Sequence, residues 1–311
     1  MNKKIVLAFW VFCFSFCLMT FFYCDSRGRD QDLPVKKLIK VGGSESELNL
    51  IRFFSNEFKK KNPDVSFEIK GGGSGLGIHA LLFGKLDIAS SSRAVNESEV
   101  AKANLYGKRF SPIIIGLDVI AIILNSGVGI DSLSLTQLGK IFDGTYTNWN
   151  QLGGLDLPIK AYGRNFNSGT YHYIKERLLI GKYDKNIVSM HDNNELINAV
   201  ANEKGAISYI NLGSIKESTE SLLKKVWVAN INYEDSKARS PFDREAVKSN
   251  DYPLTRPLYQ YFVNQPTGKL LELIQFELSD AQQKNLELHG YYPITPIHQS
   301  INDKSLGDCL K

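Results

Sequence analysis

Four short turns rich in serine and glycine carry the residues best suited to chemistry. They are Ser44 with Ser46, Ser74-Gly75, Ser92-Arg93, and Arg164 with Ser168-Gly169-Thr170. Hydroxyls, backbone N–H groups and guanidinium groups are hydrogen-bond donors, and in this combination they suit a small oxyanion. Such an anion needs about a dozen lone-pair directions satisfied, because an ion taken out of water without partners costs several kcal/mol. Gly71, Gly72 and Gly73 can take positive φ and bring N–H groups within reach of a ligand. A helix opening at Ser74 adds its free N–H groups and the positive end of its dipole. Arg164, four residues ahead of a Ser-Gly-Thr helix start, is the more specific cation; Arg93 reads either as a second ligand or as half of a surface ion pair.

Rival chemistries fail on spacing. A nucleophile elbow through Gly72 and Ser74 requires glycine at 76, where Leu76 stands. A phosphate-cradling Gly-Lys-Ser/Thr loop is contradicted by Leu86 after Gly84-Lys85. Gly75-Leu76-Gly77-Ile78-His79-Ala80 fits a dinucleotide pattern, but Asp87 comes too early and Glu97 too late to hold a ribose. The histidines at 79, 172, 191, 289 and 298 have no metal spacing. The expectation is therefore no catalytic residue, no metal and no cofactor, with a hydrolase using Ser74 or Ser168 and a surface adhesin as alternatives from other classes.

The elements that must position these turns alternate strand and helix. Leu38–Val41 reads as a strand that feeds a Ser44/Glu47 capping box, with Leu50, Phe54 and Phe58 following at helical spacing. The unit repeats at Val65–Lys70 and Leu86–Ala89, the latter followed by an Asn96/Glu99 cap. Ile113–Ile115 and Val119–Leu124 are buried strand runs that leave the first lobe. In the next section Ser134 and Gln137 cap a helix, Ile159–Tyr162 delivers Arg164, Asp192 and Glu195 cap another helix, and Ala206–Ile210 is a strand. Val226–Val228 and Tyr259–Val263 read as the return. The fold class is α/β: two lobes on a hinge with mainly parallel sheets and ligand loops at the strand ends. Lobe I takes 38–121 and 214–311, and lobe II takes 122–213.

The chain has 311 residues, 43% hydrophobic and 23% charged, which suits two lobes with separate cores. Residues 1–24 carry Lys3 and Lys4 and an apolar run from Ile5 to Tyr23, and read as an export signal or a retained membrane anchor. Cys24 directly after the run suggests lipid attachment, although Phe21, Phe22 and Tyr23 depart from the usual cleavage pattern. Asp25–Lys37 is a polar tether. Removing Lys3 and Lys4 leaves 35 basic residues (37 − 2) against 33 acidic ones, too balanced for a nucleic-acid binder. Of the four cysteines only Cys309 lies in the mature body, so no disulfide framework is implied.

GGGSGLGI, LDIASSSRAV, LTQLGKIFDGTYTNWNQLGG, GRNFNSGT, NAVANEKGAISYI and YPLTRPLYQY occur in order over Leu38–Tyr292. Together they resemble the phosphate-binding proteins of bacterial ABC importers. The resemblance implies a two-lobed periplasmic-binding fold that closes on inorganic phosphate and hands it to a permease. The chain is expected to be a monomer, and its apolar run and Cys24 to hold it to the membrane by its N-terminus. Carried over by position, it implies donors at Ser74, Arg164, Ser168, Gly169 and Thr170, with Ser44 or Ser46 from the first turn. Some members have an aspartate where this chain has Ser92, which leaves sulfate or molybdate as alternative ligands. Glu45 could replace that acceptor or could be a solvated first-turn residue.

Overall fold

The two apolar runs at 113–115 and 119–124 join into a single strand. In a computed structural model of the chain, which describes residues 37–307, this strand is the spine of the molecule. The apolar N-terminal run, Cys24, the tether as far as residue 36 and Cys309 lie outside the described residues. In chain order the strands are β1 (Lys37–Gly43), β2 (Val65–Lys70), β3 (Ile88–Ser91), β4 (Phe110–Asn125), β5 (Ser132–Ser134), β6 (Lys160–Arg164), β7 (Val188–Met190), β8 (Ala206–Asn211), β9 (Val226–Val228), β10 (Asn230–Asn232), β11 (Thr255–Val263) and β12 (Tyr291–Tyr292). One sheet runs β2-β1-β3-β11-β4-β8-β6-β7, and β9 and β12 also pair with β4. β5 and β10 form a separate parallel pair.

The chain is two-lobed α/β, as its alternating pattern predicts. Short strands inside each lobe pair parallel, β1 with β3 and β6 with both β7 and β8. The long connecting strands run antiparallel to their neighbours. Ile113–Leu124 is buried throughout, as expected for a strand covered on both faces. Ile113 and Ile115 join Ile39, Leu50, Phe54, Phe58, Leu258 and Ile274 in one core. Val119–Leu124 join Leu138, Phe142, Trp149, Ile197, Val200 and Tyr209 in another. β4 thus passes from one core to the other, and β11 comes back beside it, with Thr255 opposite Val119 and Arg256 opposite Asp118.

Of the residues expected in the first lobe, Val119–Ala121 and much of 214–254 pack in the second core. Val226, Ala229, Ile231, Ala246, Val247, Tyr252 and Leu254 belong to it. The reason is pairing: β9 lies on Ile123–Asn125, and β10 on β5. The capping boxes at Asn96/Glu99 and Ser134/Gln137 form as expected. The one expected at Ser44/Glu47 does not: Glu45–Glu47 is a 3-10 turn ahead of the helix Leu48–Lys61, and Glu47 is fully buried.

Candidate functional site

Three first-lobe turns are tied together by their backbones. Ser44 N donates to Ser90 O at 3.0 Å and Gly73 N donates to Gly43 O at 2.7 Å, so the ends of β1 and β3 and the loop after β2 form one platform. Gly73 has φ +107°, a conformation side chains avoid, and it caps the helix Ser74–Leu82. Ser74 Oγ then accepts from Ser92 N at 3.2 Å. Glu45 accepts from Gly72 N at 2.5 Å, which links the first two turns rather than closing the third.

The second lobe contributes one turn. β6 ends at Arg164, and Ser168 caps the helix Gly169–Leu178 by accepting from Thr170 N and Tyr171 N at 3.2 and 3.3 Å. This turn faces the first-lobe platform at bonding distance. Gly75 N donates to Asn167 O at 3.2 Å, and Ser46 Oγ lies 3.1 Å from Thr170 Oγ1. A Cβ on Gly169 would sit 2.4 Å from Ser74 Oγ and 2.5 Å from Ser92 Oγ, so only glycine allows this approach. Ser46, Ser74, Gly75 and Ser92 of the first-lobe turns therefore face Ser168, Gly169 and Thr170 of the second, with Ser44 on the same first-lobe platform. The Ser44 and Ser92 hydroxyls are buried there without a hydrogen-bond partner among the described residues.

The expected cations differ in how they are neutralised. Arg164 is 3% exposed, and its Nη1 and Nη2 donate to Asn193 Oδ1 at 2.9 Å and His191 O at 2.7 Å. Its Nε is buried without a partner, and no carboxylate pairs with it among the described residues. Burial pushes its pKa down, partly opposed by the negative charge of Glu45 across the cleft. Arg93, by contrast, grips Glu99 through two bonds of 2.8 and 2.7 Å. Its fork is held within its own lobe, beside the helix start rather than in it.

Sequence reasoning missed a third guanidinium. Arg256 Nε and Nη2 donate to Asp118 Oδ2 at 3.1 and 2.8 Å, where the crossing strands face each other. Burial pushes the Asp118 carboxyl up to about 6 against the downward pull of Arg256. Glu47 is buried nearby, its carboxylate oxygens without a hydrogen-bond partner among the described residues, and burial raises it well above the usual carboxylate value despite Arg256. The available signal was a lone Asp inside IIIGLDVIAIIL and a lone Arg inside YPLTRPLYQY: a charge within an apolar strand needs a buried partner. Among the described residues, no cluster of His, Cys, Asp and Glu could hold a metal ion.

A family model described as a PBP superfamily domain matches residues 27–281. The protein SphX of Synechococcus elongatus is 26% identical over 268 residues, which covers 83% of this chain and 78% of that one. The phosphate-binding protein PstS of Bacillus subtilis is 25% identical over 260 residues, which covers 83% and 81%. A crystal structure from Clostridium perfringens, described as a candidate phosphate ABC transporter substrate-binding protein with bound phosphate, superposes with a TM-score of 0.72 at 25% identity, covering 83% of this chain and 100% of that one. The chain belongs to the PBP superfamily.

Proposed function

We propose that this member of the PBP superfamily is an exported solute-binding protein that captures inorganic phosphate between its lobes and delivers it to an ABC importer permease. The observation that carries the reading is Arg164, a buried guanidinium that no carboxylate pairs among the described residues, at the end of the strand that leads into the Ser168-Gly169-Thr170 helix start. An anion bound there supplies the missing countercharge. The names of the relatives in Bacillus subtilis and Clostridium perfringens support phosphate as that anion.

In this reading Ser44, Ser46, Ser74, Gly75, Ser92, Arg164, Ser168, Gly169 and Thr170 hold phosphate, while Arg93 acts through Glu99 to hold the third turn. Closure brings Gly169 onto Ser74 and Ser92 and seals the anion from water. Lobe I then takes 38–117 and 255–307 and lobe II takes 118–254, a division close to that of the two cores, with Leu117 and Tyr292 packing on the second core at the seam. Catalysis has no support here. Ser74 Oγ accepts from Ser92 N and Ser168 Oγ from two helix amides, and among the described residues neither bonds to a histidine or carboxylate that could take its proton.

Calorimetric titration of the protein with phosphate, sulfate and molybdate tests the reading. One phosphate per chain, bound more tightly than the other two, is expected; preference for sulfate or molybdate, or turnover of a phosphate ester, would overturn it. Membrane attachment through Cys24 is part of the same proposal. A Cys24→Ala protein that stays on the membrane would assign that role to the apolar run instead. Among the described residues no helix is long and apolar enough to cross a membrane.

A further inference from the structure

Beside the proposed phosphate contacts lies a buried cluster that they do not use. Arg256 and Asp118 face each other on β11 and β4, 3% and 0% exposed. Arg256 Nη2 reaches past Asp118 to Ser46 Oγ at 3.0 Å and Thr170 Oγ1 at 2.9 Å. Ser46 belongs to the first lobe, Thr170 to the second and Arg256 to the strand that crosses between them. The guanidinium lies over the Tyr173 ring at 5.3 Å, so its plane is held from the side as well as by Asp118.

A hydroxyl both donates and accepts, whereas a guanidinium only donates. With Arg256 against their lone pairs, the Ser46 and Thr170 hydroxyls must turn their hydrogens elsewhere. They contact each other at 3.1 Å, which uses at most one of the two hydrogens and leaves the other for an acceptor in the cleft. The Ser46 backbone cannot follow a shift of Arg256, because its carbonyl accepts from Tyr291 OH at 2.7 Å and from Asn211 Nδ2 at 3.2 Å.

We infer that Arg256 is a positioning residue: by donating to Ser46 and Thr170 together it sets these hydroxyls as donors toward the bound anion, and completes that arrangement only when the lobes meet. Asp118 fixes the guanidinium in the plane that reaches both. This role rests on the phosphate reading above and adds a residue to it. Lysine cannot substitute, since a point charge on a flexible stem cannot hold one carboxylate and two hydroxyls in fixed directions.

A double-mutant cycle on the full chain tests it: phosphate affinity and ligand-free melting of the wild type, Thr170→Val, Arg256→Lys and the double variant. Thr170→Val should weaken phosphate binding about 10- to 100-fold in the wild type, the range for losing a hydrogen bond to a charged group. Arg256→Lys should weaken it at least about tenfold, and adding Thr170→Val should then cost no more than about threefold further. Losses that multiply independently, or that follow a fall in ligand-free melting, would overturn the positioning role. If Arg256→Lys does not fold, Asp118→Asn carries the same cycle, since it keeps the arginine and loosens its plane. A wild-type chain that gives no phosphate signal would instead sink the phosphate reading itself, a result distinct from either outcome of the cycle.

Discussion

Arg164 and Arg256 are equally buried, yet their surroundings differ in one respect. Arg256 has a carboxylate on the facing strand, whereas among the described residues the Arg164 guanidinium has only an amide oxygen and a carbonyl. Neutral acceptors orient a guanidinium without cancelling its charge, so in the proposed reading the Arg164 charge is matched by the bound anion. The hinge region is matched from within. A buried cation reveals binding only once its partners have been counted; burial alone would have ranked the two together.

The largest effect should come from removing the unmatched charge. Arg164→Ala is expected to weaken phosphate binding by about 10²- to 10³-fold, the effect of losing one partner of a buried charge pair, about 3 to 5 kcal/mol. Ligand-free melting should barely change, because nothing in the protein loses a countercharge. A large loss of ligand-free stability with near-normal affinity would reverse the assignments of the two arginines.

Asp118 sharpens the contrast through pH. Its folded pKa, about 6, lies above its ordinary 3.8, so the folded chain binds the proton more tightly than the unfolded one. The stability tied to this group is full below about pH 4 and is lost as pH rises through about 6. Near pH 7 the loss should amount to about 2 to 3 kcal/mol relative to pH 4. Urea melts of the wild type and Asp118→Asn across this range isolate it from other carboxylates: the difference between the two should change in that direction. A flat difference would mean that Arg256 holds Asp118 charged throughout.

Gly169→Ala probes the contact between the regions. Its Cβ would meet the Ser74 and Ser92 hydroxyls at 2.4 and 2.5 Å only when the lobes are together. Affinity should fall about 10- to 100-fold, from overpacking of about 1 to 3 kcal/mol, with ligand-free stability kept. Glu99→Gln should have the smallest effect, within about fivefold on affinity, because it alters a pair that neutralises itself inside one lobe. A loss as large as that of Arg164→Ala would move Arg93 into the anion's first contacts.

What the sequence revealed followed the range of the forces involved. Asn96/Glu99 and Ser134/Gln137 form caps because both partners sit within one turn, and Arg164 ends a strand four residues before the cap of a helix, as its spacing predicts. The Ser44/Glu47 box, written in the same local code, gives way to burial of Glu47 near Arg256, 209 positions along the chain (256 − 47). Asp118 and Arg256 are 138 residues apart, and only the register of β11 on β4 brings them together. Equally distant pairings, β9 on β4 and β10 on β5, place Val226–Leu254 in the second core, where no local pattern could assign them.

The position of β11 also sets a schedule. It lies between β3 and β4 in the sheet, yet in sequence it follows every strand of the second lobe. A chain emerging from its N-terminus therefore makes β1 to β3 and the start of β4 while the strand that must separate β3 from β4 does not yet exist. In the proposed division the second lobe, continuous from Asp118 to Leu254, has all its strands in hand before that gap can be filled. The lobe begun first is completed last, and until Thr255–Val263 arrives its half-built sheet carries two open edges facing each other.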